Sequence, residues 1–141
     1  MVTVSIVIPT KDAGEGFHQT LEAIQQQRGI SAELVVVDSG SSDGTPALAR
    51  KYGARTISIP PESFNHGATR NLGVREASGD LCVMLVQDAV PADNNWLQNL
   101  LAPFSDERVV GVTGRQIARA DADPMGRWEV AWGDRDRKSV V

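Results

Sequence analysis

Residues 35–45, Val-Val-Val-Asp-Ser-Gly-Ser-Ser-Asp-Gly-Thr, carry the clearest chemistry in the chain. A β-branched run ends on Asp38, and a glycine-serine turn leads from it into a helix start. At the carboxyl end of a strand in a parallel α/β sheet, such a carboxylate is placed to meet a ligand. Glycine there lets backbone approach the ligand closely. Three further polar clusters have the same character: Pro9-Thr10-Lys11-Asp12, His66-Gly67-Ala68-Thr69-Arg70-Asn71, and Gln87-Asp88-Ala89-Val90-Pro91. Their side chains suit a charged, hydrogen-bonding ligand. A carboxylate accepts from N–H groups or shares a divalent cation, a guanidinium grips phosphate in a bidentate way, and a helix start favours anions.

The pattern of apolar residues supplies the elements that must position these groups. Residues 4–8 read as a short buried strand stopped by Pro9. Residues 14–27 place Phe17, Leu21 and Ile24 at helical spacing, with Gly29 as a stop. A second strand over residues 34–37 is followed by a helix capped by Ser42 or Asp43, with Pro46 in its first turn and Gly53 at its end. Residues 55–59 form a third strand, ended by Pro60-Pro61. Asn65 or His66 opens a helix running through Leu72 to Ala77. A fourth strand covers residues 81–86, and Pro91-Ala92-Asp93 opens a helix in which Trp96 packs on the sheet. A fifth strand is predicted over residues 109–112. This alternation predicts a parallel sheet with helices on both faces, and it brings all four polar clusters to one sheet edge.

A length of 141 residues fits one domain. The formal charge of −4, with no basic block, argues against nucleic acid as a partner. An anionic ligand then needs local donors or a metal. Cys82 is the only cysteine, which excludes an internal disulfide and a cysteine zinc site; its apolar run points to buried packing. The N-terminus lacks a basic segment followed by an apolar run, so no signal peptide is expected. The longest apolar run, residues 81–86, is far short of a membrane span. A cytoplasmic location is the expectation, with peripheral association at the inner face of the membrane left open. Near residue 117 the composition shifts to an Asp- and Arg-rich tail. This divides the chain into 1–117 and a region 118–141 that looks like the start of a further part.

Other α/β chemistries fit poorly. Gly14 and Gly16 are followed by Gln19, where a dinucleotide fingerprint needs glycine. There is no phosphate loop ending in Gly-Lys-Ser/Thr and no G-x-S-x-G elbow. The residues resemble instead the family-two glycosyltransferases, which use nucleotide sugars and have the GT-A fold. The matching stretches are Val4-Ser5-Ile6-Val7-Ile8-Pro9-Thr10-Lys11-Asp12, residues 36–45, Gly67-Ala68-Thr69-Arg70-Asn71-Leu72-Gly73, Ala77-Ser78-Gly79-Asp80 and Gln87-Asp88-Ala89-Val90-Pro91. Phe64-Asn65-His66-Gly67 and the Gln87–Pro91 stretch look most like rhamnosyltransferase-type members.

The resemblance implies a Rossmann-like three-layer α/β/α domain with a mostly parallel sheet. It implies inverting transfer from a dTDP- or UDP-sugar to a saccharide or lipid-linked hydroxyl acceptor, in cell-surface polysaccharide synthesis. It assigns Asp38 to the nucleotide base, and Thr10, Asp12, Gly40, Gly67, Arg70 and Gln87 to the nucleotide pocket. The family often has Asn where Asp12 stands. Asp88 matches the last carboxylate of the family's Asp-x-Asp motif, the ligand for Mg²⁺ or Mn²⁺, while Val86 stands where the first carboxylate would be. Each position has an ordinary alternative. Asp38 can cap its own turn, Asp12 can cap the first helix, Arg70 can pair with Glu76 or Asp80, and Asp88 can cap a helix. Asp43 reads as a helix cap, and His66 divides evenly between helix start and ligand contact. The family draws its general base from a later acidic motif. Asp121, Asp123, Asp134 and Asp136 lack that context, so the expectation is a donor-binding half without its base, or a non-catalytic nucleotide-sugar-binding module.

Overall fold

The computed structural model describes residues 2–118, 120, 121 and 123, in two compact units, Met1–Gln98 and Asn99–Val141. In the first unit β1 (Val4–Thr10), α1 (Gly16–Gln25), β2 (Ala32–Asp38), α2 (Thr45–Lys51) and β3 (Arg55–Ser58) follow in order. A 3₁₀ turn (Pro61–Ser63) leads to α3 (His66–Glu76) and β4 (Leu81–Met84), and α4 (Trp96–Leu101) reaches into the second unit.

The sheet order is β3-β2-β1-β4 and every pair is parallel. β1 and β2 are central, so both faces are covered and their sequences are near-continuous apolar runs. Ile6, Val7, Ile8, Val35, Val36 and Val37 are fully buried. The chain steps outward from β1 to β3, then crosses back to lay β4 on the other side of β1. That reversal makes a switch point beside β1, where a crevice opens at the carboxyl ends of the strands.

α3 lies over β1 and β2, and Gly73 sets how closely it sits. A Cβ at Gly73 would lie 2.3 Å from Val7 Cγ1 and 3.2 Å from Val37 Cγ2. β4 is the edge strand beyond that helix, which corrects the expectation for Cys82. The thiol is exposed. Cys82 and Met84 pair in register with Ser5 and Val7, but α3 covers β1 and β2 and leaves the edge open; Met84 is exposed too. In α4 the fully buried residue is Leu97 rather than Trp96, which is half-buried.

At the amino end of the sheet, Glu33 of β2 ties β1 to the loop that precedes β4. Its Oε2 accepts from Ser5 Oγ at 2.7 Å and from the Ser78 amide and hydroxyl, each at 2.8 Å. The Ser5 hydroxyl, then the Ser78 amide, hold the Glu33 carboxyl below its ordinary value of 4.5. A group whose folded value is depressed stabilises the fold above its ordinary value and loses that contribution as pH falls through the folded one. Glu33→Gln is therefore expected to melt below the wild type at neutral pH. The two should converge on acidification below 4.5, as followed by circular dichroism; a pH-independent gap would contradict this.

In the second unit, residues 109–112 do not form the expected fifth strand. The chain there turns about Asp106, which accepts from the Arg108 amide at 3.0 Å and whose carbonyl accepts from the Val109 amide at 2.9 Å. A four-residue apolar run becomes a strand only when it finds an edge to pair with, and Val110 is 97% exposed.

Candidate functional site

The four polar clusters follow the carboxyl ends of the parallel strands. Hydrogen bonds join those after β1, β2 and β4, while the cluster at the start of α3 bonds only within its own helix start. Thr10 and Asp38 are register partners at the ends of β1 and β2. Both are buried, at 3% and 2% exposure. Thr10 Oγ1 donates to Asp38 Oδ1 at 2.9 Å, Ser41 Oγ donates to the same oxygen, and the Ser41 amide donates to Oδ2 at 2.9 Å. A carboxylate offers about four acceptor positions. Three are taken within the fold, leaving one on Oδ2. The ordinary alternative, a carboxylate closing its own turn, is thus present and still leaves room for one donor.

The Asp38 turn is fastened to the loop after β1 along its whole length. Ser39 gives both its amide (3.0 Å) and its hydroxyl (2.9 Å) to the Thr10 carbonyl. Lys11 Nζ donates to the Gly40 carbonyl, and the Asp12 amide donates to Ser41 Oγ at 2.8 Å. Asp12 Oδ1 accepts from the Ser42 amide at 2.6 Å, with Ser42 Oγ and the Asp43 amide at 3.2 and 3.4 Å. Asp12 takes a φ of +42° to do this, a conformation that Asp tolerates better than most residues. The Ser42 amide, more than the Lys11 ammonium, holds the Asp12 carboxyl below the usual range. Its first oxygen is taken up by the neighbouring turn, and its second lies 3.6 Å from Lys11.

Gly40 sits at φ +76°, and a Cβ there would meet Pro61 Cγ at 2.6 Å. The cap position of α2 is Gly44, with no side-chain cap bond, so Asp43, expected as the cap, stands one residue before it and closes a turn onto the helix start. Its Oδ1 accepts from the Thr45 amide at 2.9 Å, and its Oδ2 accepts from the Gly14 amide at 3.1 Å.

At α3, Asn65 is the cap; its side chain accepts from the Gly67 and Ala68 amides, each at 3.0 Å. His66 begins the helix and packs edge-on against Phe64, ring centroids 4.9 Å apart. A Cβ at Gly67 would meet only Asn65 Oδ1, at 3.5 Å, so the fold itself does not demand glycine there. Arg70 curls back on its own helix, donating to the His66 carbonyl at 3.0 Å. Its expected alternative partners are taken: Glu76 pairs with Arg55, and Asp80 accepts from Thr3. No ion pair to Arg70 occurs among the described residues.

After β4, the Val86–Ala89 turn closes with the Ala89 amide on the Val86 carbonyl at 3.2 Å. Asp88 stands exposed on this turn, with no hydrogen bond or ion pair among the described residues. Gln87 beside it turns inward. Its Oε1 accepts from the Lys11 amide at 2.9 Å, and its Nε2 donates to the Lys11 carbonyl at 3.3 Å. Ser41 and Lys11 were not singled out in the sequence. Ser41 had a signal, a serine three residues after a strand-end Asp; Lys11 enters mainly through its backbone. A cleft of about 790 Å³ lies at the opposite end of the sheet, beside Gln25, Glu33, Tyr52 and Arg55. Gln25, Glu33 and Arg55 there bond within the fold, and the cleft lies apart from these clusters.

The family model for glycosyl transferase family 2 matches residues 5–136. The chain belongs to that family. It is 40% identical over 124 residues to the O-antigen chain rhamnosyltransferase RfbN of Salmonella typhimurium strain LT2, covering 86% of this chain and 40% of the relative. It is 36% identical over 127 residues to the O-antigen chain rhamnosyltransferase WbaN of Salmonella anatum, covering 89% of this chain and 40% of the relative. The chain thus spans about 40% of the length of these family-2 relatives. Among solved structures, a mannosyltransferase from Pyrobaculum calidifontis in complex with GDP-Man and Mn²⁺ superposes with a TM-score of 0.70 at 26% identity, covering 77% of this chain and 34% of that one. The four-stranded parallel sheet with flanking helices is the GT-A fold that family membership implies.

Proposed function

We propose that this chain is the donor-binding half of an inverting glycosyltransferase, which moves a sugar from a nucleoside diphosphate sugar to a hydroxyl acceptor in cell-surface polysaccharide synthesis. The observation that carries the reading is the division of labour at the sheet edge. Asp38 is buried, anchored and left with one acceptor position, while Asp88 is exposed and unpartnered beyond β4. Asp38 accepts the ring N–H of uracil or thymine. Thr10 and Ser41 aim its carboxylate, and Asp12 holds the turn that carries it. Gly67 lets the ligand approach backbone, whereas the missing side chain of Gly40 makes room for Pro61, and Arg70 turns its guanidinium to the diphosphate. The names of the two Salmonella relatives support a rhamnose-type donor and a role in O-antigen synthesis, and the Mn²⁺ of the mannosyltransferase complex supports a divalent cation. We take the nucleotide to be dTDP or UDP and the acceptor to be a saccharide or lipid-linked hydroxyl.

Among the described residues, no three His, Cys, Asp or Glu side chains gather to hold a metal, and Val86 supplies no second carboxylate. One free carboxylate suits Mg²⁺ or Mn²⁺ shared with diphosphate oxygens and water, rather than a site that fills on its own. Asp88 would hold that cation, and when bound it offsets the charge on the departing diphosphate. Arg70 adds a fixed positive charge to the same oxygens. We place the base that takes the acceptor proton outside residues 2–98. No helix among the described residues is long and apolar enough to cross a membrane, and we place the reaction in the cytoplasm, at or near the inner face of the membrane.

The test is calorimetric titration with UDP, dTDP and CDP. Cytosine presents an acceptor where uracil presents N–H. A hydrogen bond to a charged group contributes about 1.5–3 kcal/mol, so UDP and dTDP are expected to bind about 10- to 100-fold more tightly than CDP. Equal binding of all three would contradict the role given to Asp38.

A further inference from the structure

Gln87, the neighbour of the Asp88 carboxylate, turns its side chain onto the backbone of Lys11. The last ladder bond between β1 and β4 runs from the Leu85 amide to the Val7 carbonyl, at 3.0 Å. Beyond it β4 leaves the sheet and enters the turn that carries Asp88. Across that gap the Gln87 amide continues the ladder in side-chain form, giving Nε2 to the Lys11 carbonyl and taking the Lys11 amide on Oε1. The Gln87 carbonyl in turn accepts from Thr20 Oγ1 of α1 at 3.2 Å. Lys11 lies between Thr10, which bonds Asp38, and Asp12, which bonds Ser42. One short run of chain therefore connects the Asp38 corner to the Asp88 turn.

We infer that Gln87 is a positioning residue, clamping the Lys11 peptide so that Asp88 keeps a fixed separation from Asp38 and one nucleoside diphosphate meets both at once. This rests on the reading of Asp88 as the cation's carboxylate. The Gln87 side chain then acts on the ligand through Asp88 and makes no contact with it. A glutamine suits the task because it alone among side chains of that reach carries a donor and an acceptor side by side to match a peptide N–H and C=O. A cation shared between one carboxylate and the diphosphate needs both sets of oxygens in place at once, so a loosened turn is expected to weaken cation-dependent binding strongly.

The experiment compares wild type, Gln87→Met and Asp88→Ala of the whole chain by calorimetry with UMP, with UDP, and with UDP plus Mn²⁺. Thermal melting by circular dichroism confirms that each variant is folded. Methionine keeps the length of glutamine and removes both hydrogen bonds. Gln87→Met is expected to keep UMP affinity within about two-fold while losing about ten-fold or more of the Mn²⁺-dependent gain for UDP. Asp88→Ala is expected to lose the gain entirely. If Gln87→Met keeps the gain that Asp88→Ala loses, the positioning role is overturned and the proposed donor site stands. Parallel loss of UMP and UDP affinity in Gln87→Met would make the residue a general scaffold and overturn the inference as well. A gain that survives Asp88→Ala would remove the reading on which it rests.

Discussion

Asp38→Ala is expected to abolish the preference for UDP over CDP and to destabilise the protein by about 2–4 kcal/mol. Both effects follow from one carboxylate. Asp38 is 2% exposed and takes hydrogen bonds from Thr10, the Ser41 hydroxyl and the Ser41 amide. Alanine leaves the buried Thr10 hydroxyl and the Ser41 donors unpaired, and each buried donor left unsatisfied costs about 1–3 kcal/mol. Asp38→Asn separates folding from recognition. Its carbonyl can still accept from the Thr10 and Ser41 hydroxyls, but its NH₂ can accept neither from the Ser41 amide nor from a ring N–H. It is expected to fold while losing about 10- to 100-fold in UDP affinity and nothing for CDP. Folded Asp38→Asn that still prefers UDP would remove the base-reading role.

The second large effect lies in the packing that brings α3 to the sheet. Alanine at Gly73 would place its Cβ 2.3 Å from Val7 Cγ1, in a core where Val7 and Val37 are fully buried. Overpacking of this kind costs about 1–3 kcal/mol, more than offsetting the gain of about 1 kcal/mol from alanine's helix propensity. Gly73→Ala is expected to lower Tm by roughly 3–8 °C, and Gly73→Val to leave little folded protein. Gly67 is the control on the same helix. Its Cβ position is nearly open, so Gly67→Ala is expected to melt within about 2 °C of the wild type. Equal effects at the two glycines would contradict the packing argument.

Much of this arrangement is legible in the sequence because parallel strands buried on both faces read as unbroken apolar runs. Residues 4–8 and 34–37 announce the two central strands, and the polar residues after them must then lie at one sheet edge. Other features depend on contacts that local pattern does not encode. Cys82 looks buried in an apolar run, and only the sheet order shows that β4 is an edge strand beyond α3. Residues 109–112 have strand composition but no paired edge among the described residues. The clamp of Gln87 on Lys11 spans 76 positions, and the tie from Asp12 to Ser42 needs a positive φ that composition does not reveal. Asp88 and Asp38 were both visible as strand-end carboxylates. Their difference, one exposed and unpartnered and the other buried with three donors, came only from the fold.

The claim that a nucleoside diphosphate is held at both ends, by Asp38 at the base and by a cation on Asp88 at the diphosphate, is tested most directly by titrating UDP with and without Mn²⁺ into the wild type and Asp88→Ala. Asp88 is exposed and bonds to nothing among the described residues, so its removal is expected to leave stability unchanged and the binding comparison clean. The expected result is a Mn²⁺-dependent increase in UDP affinity for the wild type that vanishes in Asp88→Ala, with metal-free affinity unaltered. UDP binding that is the same with and without Mn²⁺ in the wild type would contradict it.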